Sequence, residues 1–223
     1  MTMEKEHIAT GRSLLWVARL TSAVFTPFYI PFLCFLVLFL CTYLSMMPIR
    51  YKIIVLGIVY CFTILTPMVS IFLFRKINGL LAEEMSQRKN RYMPILLTII
   101  SYAFCLMMMR KLNLPWYMTG VILTFLILSV ACIAVNLRWK LSEHMVGMGA
   151  VVGGLVMFSH LFGYNPVWWL SLFIIAAGVL GSARIVLGHH TLGEVMSGFT
   201  VGFLCALWVF NPNLNGMFRY FLI

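Results

Sequence analysis

The chain has 223 residues, 62% of them hydrophobic and only 10% charged, with 16 Lys and Arg against 6 Asp and Glu for a formal charge of +10. A mean hydropathy of +0.99 excludes a soluble globular protein with a polar surface, and the length fits one domain spanning residues 1–223. The positive charge sits in short loops between apolar runs, with no basic arm and no zinc-finger spacing, so it points to anionic head groups or an anionic substrate and not to nucleic acid.

In chain order, residues 1–26 read as an N-terminal segment at the membrane interface. Within it "SLLWVARLTSAVFT" is apolar, with Arg12 and Arg19 seven residues apart on one face. The start of the chain shows no short apolar core followed by a cleavage site, so no cleaved signal peptide is expected. A helix needs about 20 apolar residues to cross the hydrocarbon core. By that measure spans are expected near 28–48, 53–74, 94–110, 116–136, 145–163, 166–183 and 193–210, with prolines at 48, 94, 115 and 166 marking edges. The expected architecture is therefore all-α, a polytopic membrane bundle of six or seven helices. The six cysteines fall inside apolar runs without CxxC spacing and read as packing residues, not as a disulfide framework or a zinc site. Gly149 and Gly153, like Gly198 and Gly202, form GxxxG pairs, which read as close helix packing.

Alternation of these spans sorts the loops onto two sides. One side collects the N-terminus and the loops 75–93, 137–144 and 184–192, and on it lie three polar clusters. These are Arg88, Lys89 and Arg91; Arg138, Lys140, Ser142 and His144; and Arg184, His189, His190 and Glu194. Two helical hairpins separate the clusters in sequence and return all three to one membrane face.

The chain has no aspartate, and its glutamates are Glu4, Glu6, Glu83, Glu84, Glu143 and Glu194. His190 and Glu194 are spaced i, i+4, so the carboxylate can accept one ring N–H, fix the tautomer and leave the other nitrogen free to attack or take a proton. Arg184 can present its fork to a phosphate. Ser142 and His144 precede an apolar helix whose free N–H groups favour a bound anion. Together these groups describe a phosphoryl-transfer site that needs no metal or other cofactor. A metal site built from His144, His189, His190 and Glu194 is the alternative, but no HxxxH or HExxH spacing supports it.

On these residues the sequence resembles the type 2 phosphatidic acid phosphatase superfamily. "ARIVLGHHTLGE" resembles that family's third signature, SRxxxxxHxxxD, through Arg184, His190 and Glu194. "SEH" at 142–144 resembles the second, PSGH, and "RKNRYMP" loosely resembles the first, KxxxxxxRP. Residues 75–194 would thus contain the site. This chain departs from the pattern in Glu194 for aspartate, Ala183 for serine, Leu141 and Glu143 for proline and glycine, and Glu84 in the lysine slot.

The resemblance implies a membrane lipid phosphatase with His190 as nucleophile, Glu194 as its orienting partner and His144 as acid and base. Arg184, Ser142, Arg91, Arg88 and Lys89 would hold the phosphoryl oxygens. The implied partners are a lipid phosphate monoester or diphosphate and the surrounding membrane lipids. A phosphotransferase on the same scaffold, or a lipid-phosphate binding or transport protein with a degenerate site, are the alternatives.

The polar-cluster side carries 11 Lys and Arg against 5 on the other, but removing the six candidate substrate ligands leaves five on each. The resemblance favours a bacterial inner-membrane protein with its site on the outer face.

Overall fold

The computed structural model of the chain describes residues 15–78, 92–136 and 140–211. Every regular element in them is helical: α1 Leu15–Val24, α2 Ile30–Cys41, α3 Ile49–Tyr60, α4 Thr66–Asn78, α5 Tyr92–Lys111, α6 Trp116–Asn136, α7 Glu143–Phe162, α8 Val167–Val186 and α9 Leu192–Phe210. Among the described residues six helical stretches are long and apolar enough to cross a bilayer, α3 and α4 forming one of them as Ile49–Ile77. The chain is a multi-pass membrane bundle.

The first expected span, 28–48, is shorter as a helix than its apolar run. Thr42 is extended (φ −113°, ψ 176°), donates its hydroxyl to the Leu38 carbonyl at 2.6 Å and accepts the Leu44 amide, starting a 3-10 turn, Tyr43–Met46. Twelve α-helical residues reach about 18 Å, and four 3-10 residues add about 8 Å. That nearly matches the hydrocarbon thickness of about 30 Å. Ile30 packs on Gly147 near the start of α7, whereas Phe39 stands 6.5 Å from the Tyr51 ring near the start of α3. The α2 segment therefore runs the depth of the bundle.

The second span, expected at 53–74, is longer than its apolar core and contains a π turn, Cys61–Leu65. The cause is Pro67. Its ring excludes a normal helical hydrogen bond to the preceding turn, and the π turn absorbs the misfit. The Thr66 hydroxyl bonds to the Cys61 carbonyl at 2.8 Å, and the Ser101 hydroxyl of α5 donates to the Phe62 carbonyl. Backbone loosened at membrane depth thus finds partners inside the protein.

The most intimate contact is between α7 and α9, which start at the same end and run parallel. A β-carbon at Gly202 would overlap the Val146 carbonyl, one at Gly149 the Phe199 carbonyl, and one at Gly153 would sit 2.6 Å from the Phe203 carbonyl oxygen. The two GxxxG pairs therefore act as expected, letting backbone meet backbone. At the far end Phe158 packs on Phe210 with ring centroids 5.0 Å apart, and Gly163 turns the chain into α8 in the left-handed region (φ 63°). The consequence for the near end is that the first turns of α7 and α9 are held side by side.

Candidate active site

Helix α8 ends at Val186. Gly188 takes up the left-handed conformation (φ 67°), and the His189 amide donates to the Arg184 carbonyl at 3.1 Å. This tight C-terminal turn leaves Arg184 on the last turn of α8 and passes the chain directly into α9.

His190 is not on α9, contrary to the expectation that it and Glu194 share a helical face. It sits two residues before the first helical residue, and Thr191 is the N-cap. Even so, Glu194 Oε2 lies 2.9 Å from His190 Nδ1 and accepts the Thr191 amide at 3.2 Å, while Thr191 Oγ1 accepts the Glu194 amide at 3.4 Å. This is a capping box with a histidine added to it. Glutamate suits that position, since the third residue of a helix reaches back to the N-cap amide most easily with a Glu or Gln side chain. The pair is partly enclosed, His190 being 3% and Glu194 18% exposed in their side chains. Burial holds the His190 ring below the ordinary histidine value; the Glu194 hydrogen bond opposes this, and the Arg184 and Lys140 charges add to the lowering. His190 is therefore a neutral imidazole near pH 7, with its Nδ1 against the carboxylate and Nε2 as the ring nitrogen that Glu194 does not engage.

The second cluster meets the third. Lys140 Nζ donates to the His189 carbonyl at 2.8 Å, tying the loop before α7 to the loop before α9. His144, on the first turn of α7, lies within electrostatic reach of Arg184, His190 and His189, with the Ser22 backbone beside its ring. Ser142 caps α7 through its backbone. Its hydroxyl is wholly buried and has no hydrogen-bond partner among the described residues, and its carbonyl packs against Gly198 of α9. Leu141 is fixed by its amide, which donates to Asn136 Oδ1 at 3.0 Å. Arg184 Nη1 donates to Ser22 Oγ at 2.7 Å, which brings α1 onto the same site.

Arg88, Lys89 and Arg91, together with Arg138, lie outside the described residues. Pro94, three residues beyond Arg91, lines a cavity of about 580 Å³ with Thr98, Cys132, Glu143 and Gly147, so the start of α5 is at the site end of the bundle. His189 is exposed and contributes its backbone carbonyl. Among the described residues no three His, Cys or Glu side chains are grouped closely enough to hold a metal ion.

Two participants were not legible from spacing alone: Ser22 and Thr191. The Thr-x-x-Glu pattern of 191–194 is a capping-box signature and could have identified Thr191. Ser22 carries no local signal, whereas Lys140 lies in the expected second cluster and joins the site through the His189 carbonyl. Comparison with known proteins adds nothing to this geometry: no family model matches the chain, and no curated protein and no solved structure is similar to it.

Proposed function

We propose that the chain is a metal-independent membrane phosphatase that hydrolyses a lipid phosphate monoester or diphosphate through a phosphohistidine. The observation that carries this reading is the 2.9 Å contact between Glu194 Oε2 and His190 Nδ1, with the carboxylate itself locked by Thr191. A neutral imidazole with one nitrogen fixed by a carboxylate and the other left to react is an oriented nucleophile.

In the first step His190 Nε2 forms a bond to phosphorus and the bond from phosphorus to the lipid oxygen breaks. His144 gives that oxygen a proton. Water then attacks phosphorus, passes a proton to His144 and releases His190 as phosphate leaves. Arg184 and Lys140 neutralise the phosphoryl oxygens, with Ser142, Arg88, Lys89 and Arg91 as further candidates.

An apolar groove supports a lipid over a soluble substrate. It has a volume of about 400 Å³, lies between α2 and α8, and is lined by Phe25, Tyr29, Leu36, Leu40, Trp169 and Leu172 among others. Its head end, at Val24, is two residues from Ser22, the partner of Arg184. A tail in the groove would hang below a phosphate at the site. We place the protein in a bacterial inner membrane with this site outward.

Phosphate release from lipid phosphates in detergent tests the proposal. Release that survives His190→Ala would sink it, as would failure to trap an acid-labile phosphoenzyme. One observation favours a second reading, lipid-phosphate binding without turnover: the hydroxyl of Ser142 is wholly buried. Tight binding without release by the unaltered protein would select it.

A further inference from the structure

We infer that Ser22 of α1 is a positioning residue of the phosphoryl site, resting on the reading of Arg184 as a phosphate ligand and His144 as acid and base. Ser22 sits against both groups. Its hydroxyl accepts from Arg184 Nη1 at 2.7 Å across 162 residues of sequence, and its backbone lies beside the His144 ring. Ser22 is 9% exposed, and Ala18, one turn earlier, is 5% exposed, so these two form the edge of α1 that faces the bundle. Trp16, Val17, Leu20 and Val24 are exposed apolar residues on its remaining surface. The helix is thus seated at the site by a narrow small-residue edge, with apolar side chains left for lipid.

The two contacts do different things. An arginine side chain has several rotatable bonds, and a guanidinium held at one nitrogen by a hydroxyl keeps its other donors aimed in a fixed fork. The Arg184 contact depends on the Ser22 side chain and the approach of the Ser22 backbone to His144 does not, so substitution of Ser22 tests the first while leaving the second in place.

The test uses the full chain purified in detergent, with Ser22→Thr, Ser22→Val and Ser22→Ala. Inorganic phosphate binding by calorimetry reports the arginine site without any turnover, and phosphate release from lipid phosphates reports kcat and KM. Thr keeps a hydroxyl, whereas Val has its shape without one. The expected result is that Ser22→Thr binds and turns over within about threefold of the unaltered protein, while Val and Ala weaken phosphate binding about tenfold, the loss for a charge-assisted hydrogen bond of about 1.4 kcal/mol. In an Arg184→Ala background Ser22→Val should cost nothing further in phosphate binding. Equal behaviour of Thr and Val, full additivity with Arg184→Ala, or no phosphate binding by the unaltered protein overturns the inference. Phosphate binding that follows this pattern without lipid turnover would keep the Ser22 role and remove the phosphatase reading.

Discussion

Glu194 serves two neighbours with one oxygen: Oε2 accepts the backbone amide of Thr191 at 3.2 Å and lies 2.9 Å from Nδ1 of His190. Helix capping and histidine orientation are therefore one structural event, and two substitutions separate them. Glu194→Gln retains an acceptor for the Thr191 amide, so thermal stability in detergent should fall by less than about 1 kcal/mol. It loses the carboxylate that orients and supports the developing charge on His190, so lipid phosphate hydrolysis should fall about a hundredfold or more. Glu194→Asp shortens the reach and should lower both. Equal stability loss for Gln and Asp would show that the carboxylate acts only as a cap.

The pH dependence follows from the surroundings of His190. Its folded value is held below the ordinary 6.5 by burial, against the Glu194 hydrogen bond and with the Arg184 and Lys140 charges helping. In the proposed mechanism the attacking form is the neutral ring, so the acid limb of activity should lie below pH 6.5. Removing the Lys140 ammonium takes away one of the charges that disfavour protonation. The limb in Lys140→Met should therefore move upward, toward less acidic pH, and phosphate binding should weaken. A limb that stays in place or moves downward refutes this account of the electrostatics.

Much of the bundle is legible because transmembrane spans are long apolar runs, and the GxxxG pairs state in sequence where α7 and α9 will touch. The early end of α2 is less legible, because Leu44, Met46 and Met47 continue the apolar run and the Thr42 hydroxyl redirects the backbone. The π turn needs Pro67 and Ser101 read together, from different helices. At the site the spacing of His190 and Glu194 is visible, but its meaning comes from Thr191, which lets a residue before the helix reach the third residue within it. Arg184 with Ser22 is a purely tertiary pairing, and no local pattern encodes it.

Helix packing sets the distance between the two histidines of the proposed mechanism. His144 lies on the first turn of α7 and His190 just before α9, and those helices meet through Gly149, Gly198 and Gly202. Gly202→Ala would place a methyl group on the Val146 carbonyl and force the helices apart, costing about 1–3 kcal/mol or more and lowering activity beyond what the stability loss explains. Gly154→Ala is the control, since nothing lies within 4 Å of its added carbon. It should keep full activity and melt at or slightly above the original temperature, because alanine favours the helix. Similar losses at both positions would mean that helix separation is not the variable.

The adjacent histidines should differ sharply. His189 contributes its carbonyl to Lys140 while its ring is exposed, and His190 contributes its ring. His189→Ala keeps the carbonyl and should retain activity within about threefold, as expected of an exposed side chain outside the reaction. His190→Ala should abolish phosphoenzyme formation. Loss of the phosphoenzyme in His189→Ala, with His190→Ala still labelled, would reverse the assignment.

The last prediction concerns the tail of the substrate. The groove between α2 and α8 is apolar and includes Ala176 on α8 and Leu33 on α2 in its lining. Ala176→Trp fills that passage without touching Arg184, His144 or His190, so its effect should depend on what is attached to the phosphate. A long-chain lipid phosphate would lose burial of roughly two methylenes, about 0.8 kcal/mol each, and its KM should rise on the order of tenfold. A short-chain phosphate ester that never enters the groove should keep its KM and kcat. If both substrates suffer alike, the substitution has disturbed the bundle. If neither does, the tail lies elsewhere and the groove holds only ordinary membrane lipid.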